Sequence, residues 1–316
     1  MRKIATLGEI LVEIMAEDRG SGFLAPLRLI GPYPSGAPAI FIDQVGRLGH
    51  PCGIIACVGD DDFGRVNVER LRADGVDVSA IRIDPDRVTG SAFVRYRESG
   101  DRDFVFNIRH SAAGQIALDD AAQALLRDCG HLHVMGSSLF APSIATLAQT
   151  AVRQVREAGG TVSFDPNIRK EILGAPEIRA ALDFMLRHCD LFLPSGPELT
   201  LLTEAKTEDA AIAEILGLGV SAIVVKRGAD GASYHDRETT LRMPAFRATE
   251  IDPTGAGDCF GATFVACRSL GRGVAESLRY ASAAGARTVG VRGPMEGAAG
   301  FAELDALIAA QPEVHQ

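Results

Sequence analysis

The sequence of 316 residues lacks several features that would assign it to a specialised class. Lys and Arg total 32 against 41 Asp and Glu, a net charge of −9, and this shortage of positive charge argues against nucleic-acid binding. No window approaches the roughly 18 uninterrupted apolar residues that a membrane-spanning helix requires. Glu9 and Glu13 interrupt the apolar residues near the N-terminus before a signal-peptide core can form. We therefore expect a cytoplasmic protein with no membrane partner.

Cysteine is sparse and shows no diagnostic spacing. The six cysteines include no CxxC pair, the spacing expected of a zinc site or a redox motif, so they are predicted to be reduced, buried thiols. His131 and His133 alternate as two metal ligands on one strand would. The same spacing fits two hydrogen-bonded imidazoles on a strand, and that is the interpretation preferred here.

The sequence does contain short apolar runs that alternate with longer helical patterns. The runs, among them IATLGEILVEIM, GIIACVG and AIVVKRG, each have the pattern of one strand that ends in a polar or Gly/Pro turn. Helical stretches such as IATLAQTAVRQVREAGG lie between them. This alternation predicts an α/β fold with a mostly parallel central sheet and helices on both faces. Ligands of such sheets bind beyond the C-terminal ends of the strands.

Two segments interrupt the alternation. Residues 14–35 are rich in Gly and Pro, and residues 88–110 contain two alternating runs around a Glu-Ser-Gly-Asp turn, which is a hairpin pattern. Alternation means that one face is buried, so these strands predict a small β-sheet lid that projects from the α/β body. The chain is thus predicted to be a single domain, residues 1–316, with an inserted lid through which two copies form a homodimer.

The most informative segment is EIDPTGAGDCFGATFVACRSL, residues 250–270, in which a Gly-rich turn opens directly into a helical pattern. The N–H groups at a helix N-terminus attract anions, and Gly255, Ala256 and Gly257 leave room for a phosphate to approach. Asp258 lies in the predicted first turn. A carboxylate there can cap the helix or act as a general base, and the residues alone leave both roles open.

Other nucleotide-binding motifs do not fit. The glycines at 255, 257 and 261 are spaced one residue too widely for the dinucleotide fingerprint. No Gly-Lys-Ser/Thr of a Walker A loop occurs, and the full motif set of a protein kinase is missing.

Three stretches, SGAPAIFIDQVGRLG, CVGDDDFG and DPTGAGD, together resemble the pfkB (ribokinase-like) family of carbohydrate kinases. The resemblance covers nearly the whole chain and implies a ribokinase-like fold, ATP and Mg²⁺ as cofactors, and phosphoryl transfer to a sugar hydroxyl. It implies that Asp258 is the general base and that Gly255, Ala256 and Gly257 form the anion hole for the transferred group. Phosphoryl transfer requires mainly positioning and charge neutralisation, which such a turn supplies.

The same resemblance implies that the nucleotide binds in the C-terminal third. VVKRGADG resembles the strand and turn along the ATP phosphates, and YASAAGARTV resembles the helix that flanks adenine. Glu198 corresponds to the Glu of the family's Asn-x-x-Glu, which holds Mg²⁺ through water, although a serine replaces the Asn. The candidate nucleotide contacts are Ser195, Lys226, Gly228, Gly231 and Ala284.

The resemblance places the sugar against the first βα turn, the SGAPA loop, the hairpin and DPNIR. Glu13 lies where the family commonly has an Asp that holds sugar hydroxyls, and it is one methylene longer. Gly36 and Ala37 would let the backbone approach the ligand closely. Ile40 replaces an Asn that the family usually has. The candidate sugar contacts are Glu13, Gly36, Ala37, Tyr96, Asn107, Asn167 and Arg169.

Within the family, segments such as HVMGSSLF and SFDPNIRKEIL are most similar to bacterial ketohexose kinases of the tagatose type. The predicted reaction is therefore conversion of D-tagatose to D-tagatose 6-phosphate. Fructokinase and 2-keto-3-deoxygluconate kinase remain open, and Arg97, Arg109 and Arg169 would suit the carboxylate of the latter substrate. A nucleoside kinase and a sugar-sensing protein without turnover are further alternatives, and the intact Asp258 argues against the sensor.

Overall fold

The computed structural model describes residues 1–20, 22–98, 102–168 and 176–311. The strands are β1 (Lys3–Leu7), β2 (Leu11–Arg19), β3 (Leu29–Ser35), β4 (Cys52–Gly59), β5 (Ile81–Asp84), β6 (Gly90–Tyr96), β7 (Arg102–Asn107), β8 (Cys129–Met135), β9 (Thr161–Asp165), β10 (Leu191–Phe192), β11 (Ala222–Lys226), β12 (Ala232–His235) and β13 (Thr240–Met243). The α-helices are α1 (Ala37–Arg47), α2 (Asp62–Ala73), α3 (Asp120–Asp128), α4 (Pro142–Glu157), α5 (Pro176–His188), α6 (Glu198–Leu201), α7 (Glu208–Gly217), α8 (Ala256–Ser269), α9 (Val274–Val289) and α10 (Phe301–Ala310).

The central sheet has nine strands in the order β13-β12-β11-β10-β9-β8-β1-β4-β5. Neighbours from β11 to β5 are parallel, and β12 and β13 add antiparallel strands at one edge. Strand β4 shows why both faces are covered, because Ile54, Ala56 and Val58 join one apolar cluster while Ile55 and Cys57 join the other. Helices α3, α4, α5 and α7 complete one cluster, and α1, α8, α9 and α10 complete the other. The predicted α/β architecture is confirmed.

The two interrupting segments form a second sheet of four strands in the order β3-β2-β6-β7, which we call the small sheet. Strands β2 and β6 are parallel, and the outer pairs are antiparallel. Residues 14–35 and 88–110 therefore meet in one β-sheet, as predicted. Strand β7 is at the edge of that sheet, and residues 104–107 along it are exposed.

The prediction of one strand in IATLGEILVEIM is wrong, because the chain leaves the central sheet after β1 and enters the small sheet at β2. The change of direction occurs at Gly8, whose φ is +150°. Glu9 lies in the connecting turn and Glu13 lies on β2, and they are 1% and 7% exposed. The break thus brings two buried carboxylates to the junction of the two sheets.

The predictions for the thiols and the paired histidines are confirmed. All six cysteines are free and buried, and burial raises the pKa of Cys259 to about 12. His131 and His133 lie on β8 in the middle of the central sheet, and each ring is 2.7 Å from the Ser163 hydroxyl. Over the ranges that the structure describes, no helix is long and apolar enough to cross a membrane.

These imidazoles are expected to make the protein less stable in mild acid. Burial lowers the pKa of His131 to about 4 and that of His133 well below its ordinary value. In the unfolded chain these histidines have a pKa of about 6.5, so below that pH the unfolded state binds protons that the folded state does not. The contribution of the neutral imidazoles to stability is therefore complete above about pH 6.5 and is lost as the pH falls towards 4. We expect the free energy of unfolding, measured with urea, to fall by about 4 kcal/mol between pH 7.5 and pH 5, about 2 kcal/mol for each imidazole.

The variant His131→Asn/His133→Asn should reduce this pH dependence, while His110→Asn, at an exposed position, should leave it unchanged. An unchanged pH dependence in a folded double variant would contradict the explanation.

Candidate active site

A cleft of about 1000 Å³ opens beyond the C-terminal end of β11. It is lined by residues 195–197, the turn 226–231, residues 245–248, the first turn of α8 and one face of α9. This is the edge at which a parallel sheet is expected to bind its ligands.

The Gly-rich turn starts α8 at the wall of this cleft. Gly255 is the N-cap residue with φ +80°, and a Cβ there would overlap the carbonyl oxygen of Pro294 and lie 3.2 Å from Ile40. Ala256 and Gly257 line the cleft, so the positive end of the helix dipole is open to it. The Ala256 N–H makes a long bond of 3.4 Å to Pro253.

Asp258 lies in the first turn of α8 and is partly exposed. The N-cap position belongs to Gly255, so Asp258 is not the capping residue. Ile40, where the family usually has an Asn, is 2% exposed and packs beneath the turn. That side chain therefore supports the anion-binding turn.

A buried cation lies beside the same turn. Lys226 ends β11, and its ammonium forms an ion pair with Asp165, the last residue of β9. Burial lowers the pKa of Lys226, but Asp165 and Glu198 raise it more, so the ammonium remains charged. A Cβ on Gly257 would lie 3.6 Å from the Lys226 Nζ. A positive charge is thus fixed next to the first turn of α8.

Glu198 begins α6 and is 8% exposed. Its Oε1 accepts the backbone N–H of Ile168 at 2.7 Å, and its Oε2 accepts that of Ser195 at 2.6 Å. Burial and the nearby Asp165 raise the pKa of Glu198. Lys226 and the two N–H groups lower it by less, so the pKa lies above its ordinary value. The carboxylate is therefore held in one orientation close to the cleft.

This donor set fits Mg²⁺ held mainly by water and phosphate. Mg²⁺ keeps several waters and commonly takes only one or two protein carboxylates together with substrate phosphates. Glu198 supplies one fixed carboxylate with a lone pair left on each oxygen. Within the described ranges no three His, Cys, Asp or Glu side chains are grouped as a metal cage. Glu198 is consequently the residue that would hold the ion through water.

The predicted sugar contacts Glu13 and Tyr96 lie on the small sheet. The Ser35 hydroxyl donates to Oε1 of Glu13 at 2.7 Å. Burial raises the pKa of Tyr96 to about 12, and Asp252 and Glu13 add to the rise. The phenol is therefore near Glu13 and also near Asp252, which precedes the Gly-rich turn. The small sheet brings these side chains to the same end of the molecule as α8.

That Gly36 and Ala37 let a ligand approach the backbone closely stays a prediction, and at Gly36 the structure shows a close approach within the chain itself. A Cβ on Gly36, whose φ is +112°, would overlap the carbonyl oxygen of Glu9. The glycine thus permits two segments of the chain itself to approach. Ala37 is 7% exposed at the start of α1.

The remaining predicted sugar contacts differ in their surroundings. Asn107 is exposed at the end of β7, where it pairs with Ser91. Asn167 is partly buried with φ +37°, a conformation that non-glycine residues seldom adopt, and its N–H donates to Asp165 at 3.2 Å. Arg169 lies outside the described residues.

Four predicted nucleotide contacts, Ser195, Lys226, Gly228 and Gly231, line the cleft. The prediction for Ala284 is wrong, because its side chain is 1% exposed and the cleft is lined instead by Ser282, Gly285 and Ala286. The segment ASAAGA consists of small residues throughout, so its sequence gives no apolar contrast that would fix which face of α9 is buried.

Two residues of the site, Asp165 and Arg102, were not predicted, nor was the buried Glu9 at the junction of the two sheets. Asp165 ends a parallel strand, and that position alone could have indicated it. Glu9 accepts the hydroxyls of Ser137 and Ser138 at 3.0 and 2.6 Å, a contact between residues more than a hundred positions apart. Arg102 of β7 lines the cleft, which no local pattern signals.

Comparison with known proteins identifies the family. The family model described as pfkB family carbohydrate kinase matches residues 1–299. The chain belongs to the pfkB family of carbohydrate kinases. The 2-dehydro-3-deoxygluconokinase of Thermoproteus tenax is 32% identical over 98% of this chain and 95% of its own length. The Escherichia coli fructokinase is 32% identical over 82% of this chain and 81% of its own length.

Solved structures agree with this membership. A candidate ribokinase II from E. coli, in complex with ATP and Mg²⁺, is 50% identical, has a TM-score of 0.94, and covers 98% of this chain and 100% of its own. The Vibrio cholerae fructokinase, bound to fructose, ADP and calcium, is 26% identical and has a TM-score of 0.83. It covers 97% of this chain and 99% of its own. The predicted ribokinase-like fold and carbohydrate kinase activity are thereby confirmed. The relatives differ in substrate, so they do not identify the sugar of this pfkB kinase.

Proposed function

We propose that this pfkB kinase transfers the γ-phosphoryl group of ATP, with Mg²⁺, to a hydroxyl of a ketohexose, and that it converts D-tagatose to D-tagatose 6-phosphate. The proposal depends on one observation: the N-terminus of α8 and Lys226 line one cleft, and Asp258 lies in the first turn of that helix, where its charge helps to raise the pKa of Lys226. The E. coli relative with ATP and Mg²⁺ supports the choice of nucleotide and metal.

The chemistry follows from these groups. Asp258 accepts the proton of the sugar hydroxyl as the oxygen–phosphorus bond forms and the bond between the γ-phosphorus and the ADP oxygen breaks. The N–H groups of the first turn of α8 and the Lys226 ammonium stabilise the charge on the phosphoryl oxygens. Bound Mg²⁺ supplies further charge neutralisation at the phosphates, with Glu198 as its holder through water. The products are ADP, the sugar phosphate and one proton.

The charges near the proposed sugar site favour a neutral sugar over a sugar acid. Glu13 is a buried carboxylate that can accept sugar hydroxyls but would repel the carboxylate of 2-keto-3-deoxygluconate. Arg95 and Arg97 on the hairpin both pair with Asp103, at 2.7 and 2.9 Å, so their charges are partly neutralised. These contacts support a ketohexose as substrate.

The direct test is ADP release from MgATP with D-tagatose, D-fructose, 2-keto-3-deoxygluconate and adenosine as separate acceptors. We expect kcat/KM for D-tagatose to exceed that for every other acceptor by at least about tenfold, since the pocket must distinguish hydroxyl positions. A preference for fructose would replace D-tagatose by D-fructose as the substrate. A preference for the sugar acid or adenosine would overturn the assignment of a ketohexose as substrate. If a sugar raises the melting temperature of the protein but no acceptor gives ADP release, the sugar-sensing protein without turnover would be favoured.

We propose further that two copies pair in the cytoplasm through the small sheet. The edge strand β7 exposes Val105 at 56% on one face of the small sheet, and Leu24 is 98% exposed. A groove of about 410 Å³ between Phe23 and Phe93 adds apolar surface beside them. These contiguous apolar groups support an interface.

Light scattering should therefore give twice the 33.4 kDa mass of one chain, and Val105→Asp should shift the protein towards the single-chain mass. A monomeric parent protein at working concentration would contradict the pairing.

A further inference from the structure

The segment 293–296, which we call the backing segment, lies against the anion-binding turn on the side away from the cleft. A Cβ on Gly255 would overlap the carbonyl oxygen of Pro294, so the turn packs directly on this segment. The N–H of Gly293 also donates to Oδ2 of Asp252 at 3.1 Å, and Asp252 is 1% exposed just before the turn. The position of the anion-binding turn therefore depends on where the backing segment lies.

Arg70 of α2 holds the backing segment through two hydrogen bonds. Its Nη2 donates to the carbonyl oxygen of Met295 at 2.8 Å, and its Nη1 donates to Oε2 of Glu296 at 3.3 Å. Met295 is 0% exposed and directly follows Pro294. The guanidinium thus fixes the backbone next to the residue that contacts Gly255.

The guanidinium is itself oriented by two helices. Its Nε donates to Asp74, the C-cap residue of α2, at 2.6 Å, and its Nη2 donates to Asp43 of α1 at 3.2 Å. Four of the five N–H donors of Arg70 are therefore engaged. Because the guanidinium is planar and rigid, these bonds define one orientation for it.

Asp43 is the most deeply buried member of this cluster, with a side chain that is 0% exposed. Burial raises the pKa of Asp43 to about 8, although Arg70 opposes the rise. A buried carboxylate beside an arginine commonly stabilises a fold no more than apolar side chains of similar size would. The cluster is therefore better explained by the contact that it orients, at the Met295 carbonyl, than by a gain in stability.

The cluster lies close to the helix that carries the proposed base. Ile40, three residues before Asp43 on α1, lies 3.2 Å from the place that a Cβ on Gly255 would take. Burial raises the pKa of the Cys259 thiol to about 12, and the charges of Asp43 and Arg70 also act on it. Cys259 directly follows the proposed base on α8. A shift of the guanidinium would therefore reach the anion-binding turn over a short distance.

We propose that Arg70 is a positioning residue for phosphoryl transfer, which holds the backing segment where that segment fixes the anion-binding turn. This inference rests on the proposed kinase function. Arg70 is not among the described residues that line the cleft, so it acts through Met295 and Pro294 and not on the substrates. A displacement of about 1 Å at the reacting groups can lower a rate by about 10²-fold, and the guanidinium prevents such a displacement.

The test measures amide hydrogen exchange and turnover in Arg70→Met, with Arg72→Met as the matched control because Arg72 is exposed on the same helix. The amides to follow are those of Thr254 and Gly293, whose bonds to Asp252 connect the turn with the backing segment. We expect Arg70→Met to speed their exchange and to lower kcat by about 10- to 100-fold, with the KM for the sugar within about threefold of the parent value. Arg72→Met should match the parent in every measurement.

Two further variants separate positioning from stability. Arg70→Lys should recover part of kcat, because an ammonium can still donate to the Met295 carbonyl. Arg70→Met leaves the buried Asp43 without its cation, so the melting temperature should fall as well. In Arg70→Met/Asp43→Asn the melting temperature should return towards that of the parent, whereas kcat should stay low because the Met295 carbonyl still lacks its donor.

A kcat of Arg70→Met within about threefold of the parent would overturn the inference. Unchanged exchange at both amides would do the same, as would recovery of kcat together with the melting temperature in the double variant. Failure of the parent protein itself to release ADP with any acceptor would instead overturn the proposed function. The two failures are distinguishable because turnover of the parent is measured first and the exchange is measured without substrates.

Discussion

Replacement of Asp258 by Asn is expected to lower kcat by about 10³-fold, because the sugar hydroxyl loses the group that accepts its proton. Asp258 is partly exposed in the first turn of α8, where an amide of the same shape fits without repacking. Isothermal titration should show that the dissociation constants for MgATP and sugar stay within about threefold of the parent values. The fall in kcat without a loss of binding would identify a role in the chemical step.

The matched control for this variant is Asp120→Asn, because Asp120 is also an acidic residue in the first turn of a helix and is exposed. Its loss removes the same favourable interaction with a helix dipole, and turnover should be unchanged. Turnover of Asp258→Asn within about fivefold of the parent would contradict the assignment of the base.

Replacement of Lys226 by Met is expected to lower kcat/KM for ATP by about 10² to 10³-fold, because a fixed positive charge beside the anion-binding turn is lost. The same variant should lose about 3 kcal/mol of stability, since Asp165, 3% exposed at its side chain, is left without its cation. Steady-state kinetics with varied MgATP and urea unfolding measure the two effects.

The double variant Lys226→Met/Asp165→Asn separates these effects. Removal of the buried carboxylate should recover most of the stability, whereas turnover should stay low because the cation is still absent. Lys206→Met, at an exposed position, is the control for loss of a lysine. Recovery of turnover together with stability would show that Lys226 acts only in folding.

The fold and the central motif could be predicted because both depend on local patterns. Strands and helices are recognised from the period of apolar residues, and the turn before α8 is recognised from glycines within three residues of Asp258. The prediction of a single strand across Gly8 is wrong because the apolar pattern does not change where the chain passes from one sheet to the other. The prediction of Ala284 as a nucleotide contact is wrong because a segment of small residues does not define the buried face of its helix.

Contacts across the sheets could not be predicted in this way. The ion pair between Lys226 and Asp165 joins residues 61 positions apart, and the bond from Arg102 to Thr254 spans 152 positions. Such contacts depend on strand order and on how the small sheet sits against α8, neither of which is encoded in a short window. Glu13 was recognised only through resemblance, although its burial and its bond to Ser35 give it a physical basis.

The most direct test of the account is a crystal structure with a non-hydrolysable ATP analogue, Mg²⁺ and D-tagatose. We expect the terminal phosphate at the first turn of α8, within about 3 Å of the Gly257 N–H, and a sugar hydroxyl within about 3 Å of the Asp258 carboxylate. A terminal phosphate bound away from that turn, with Asp258 out of reach of the sugar, would contradict it.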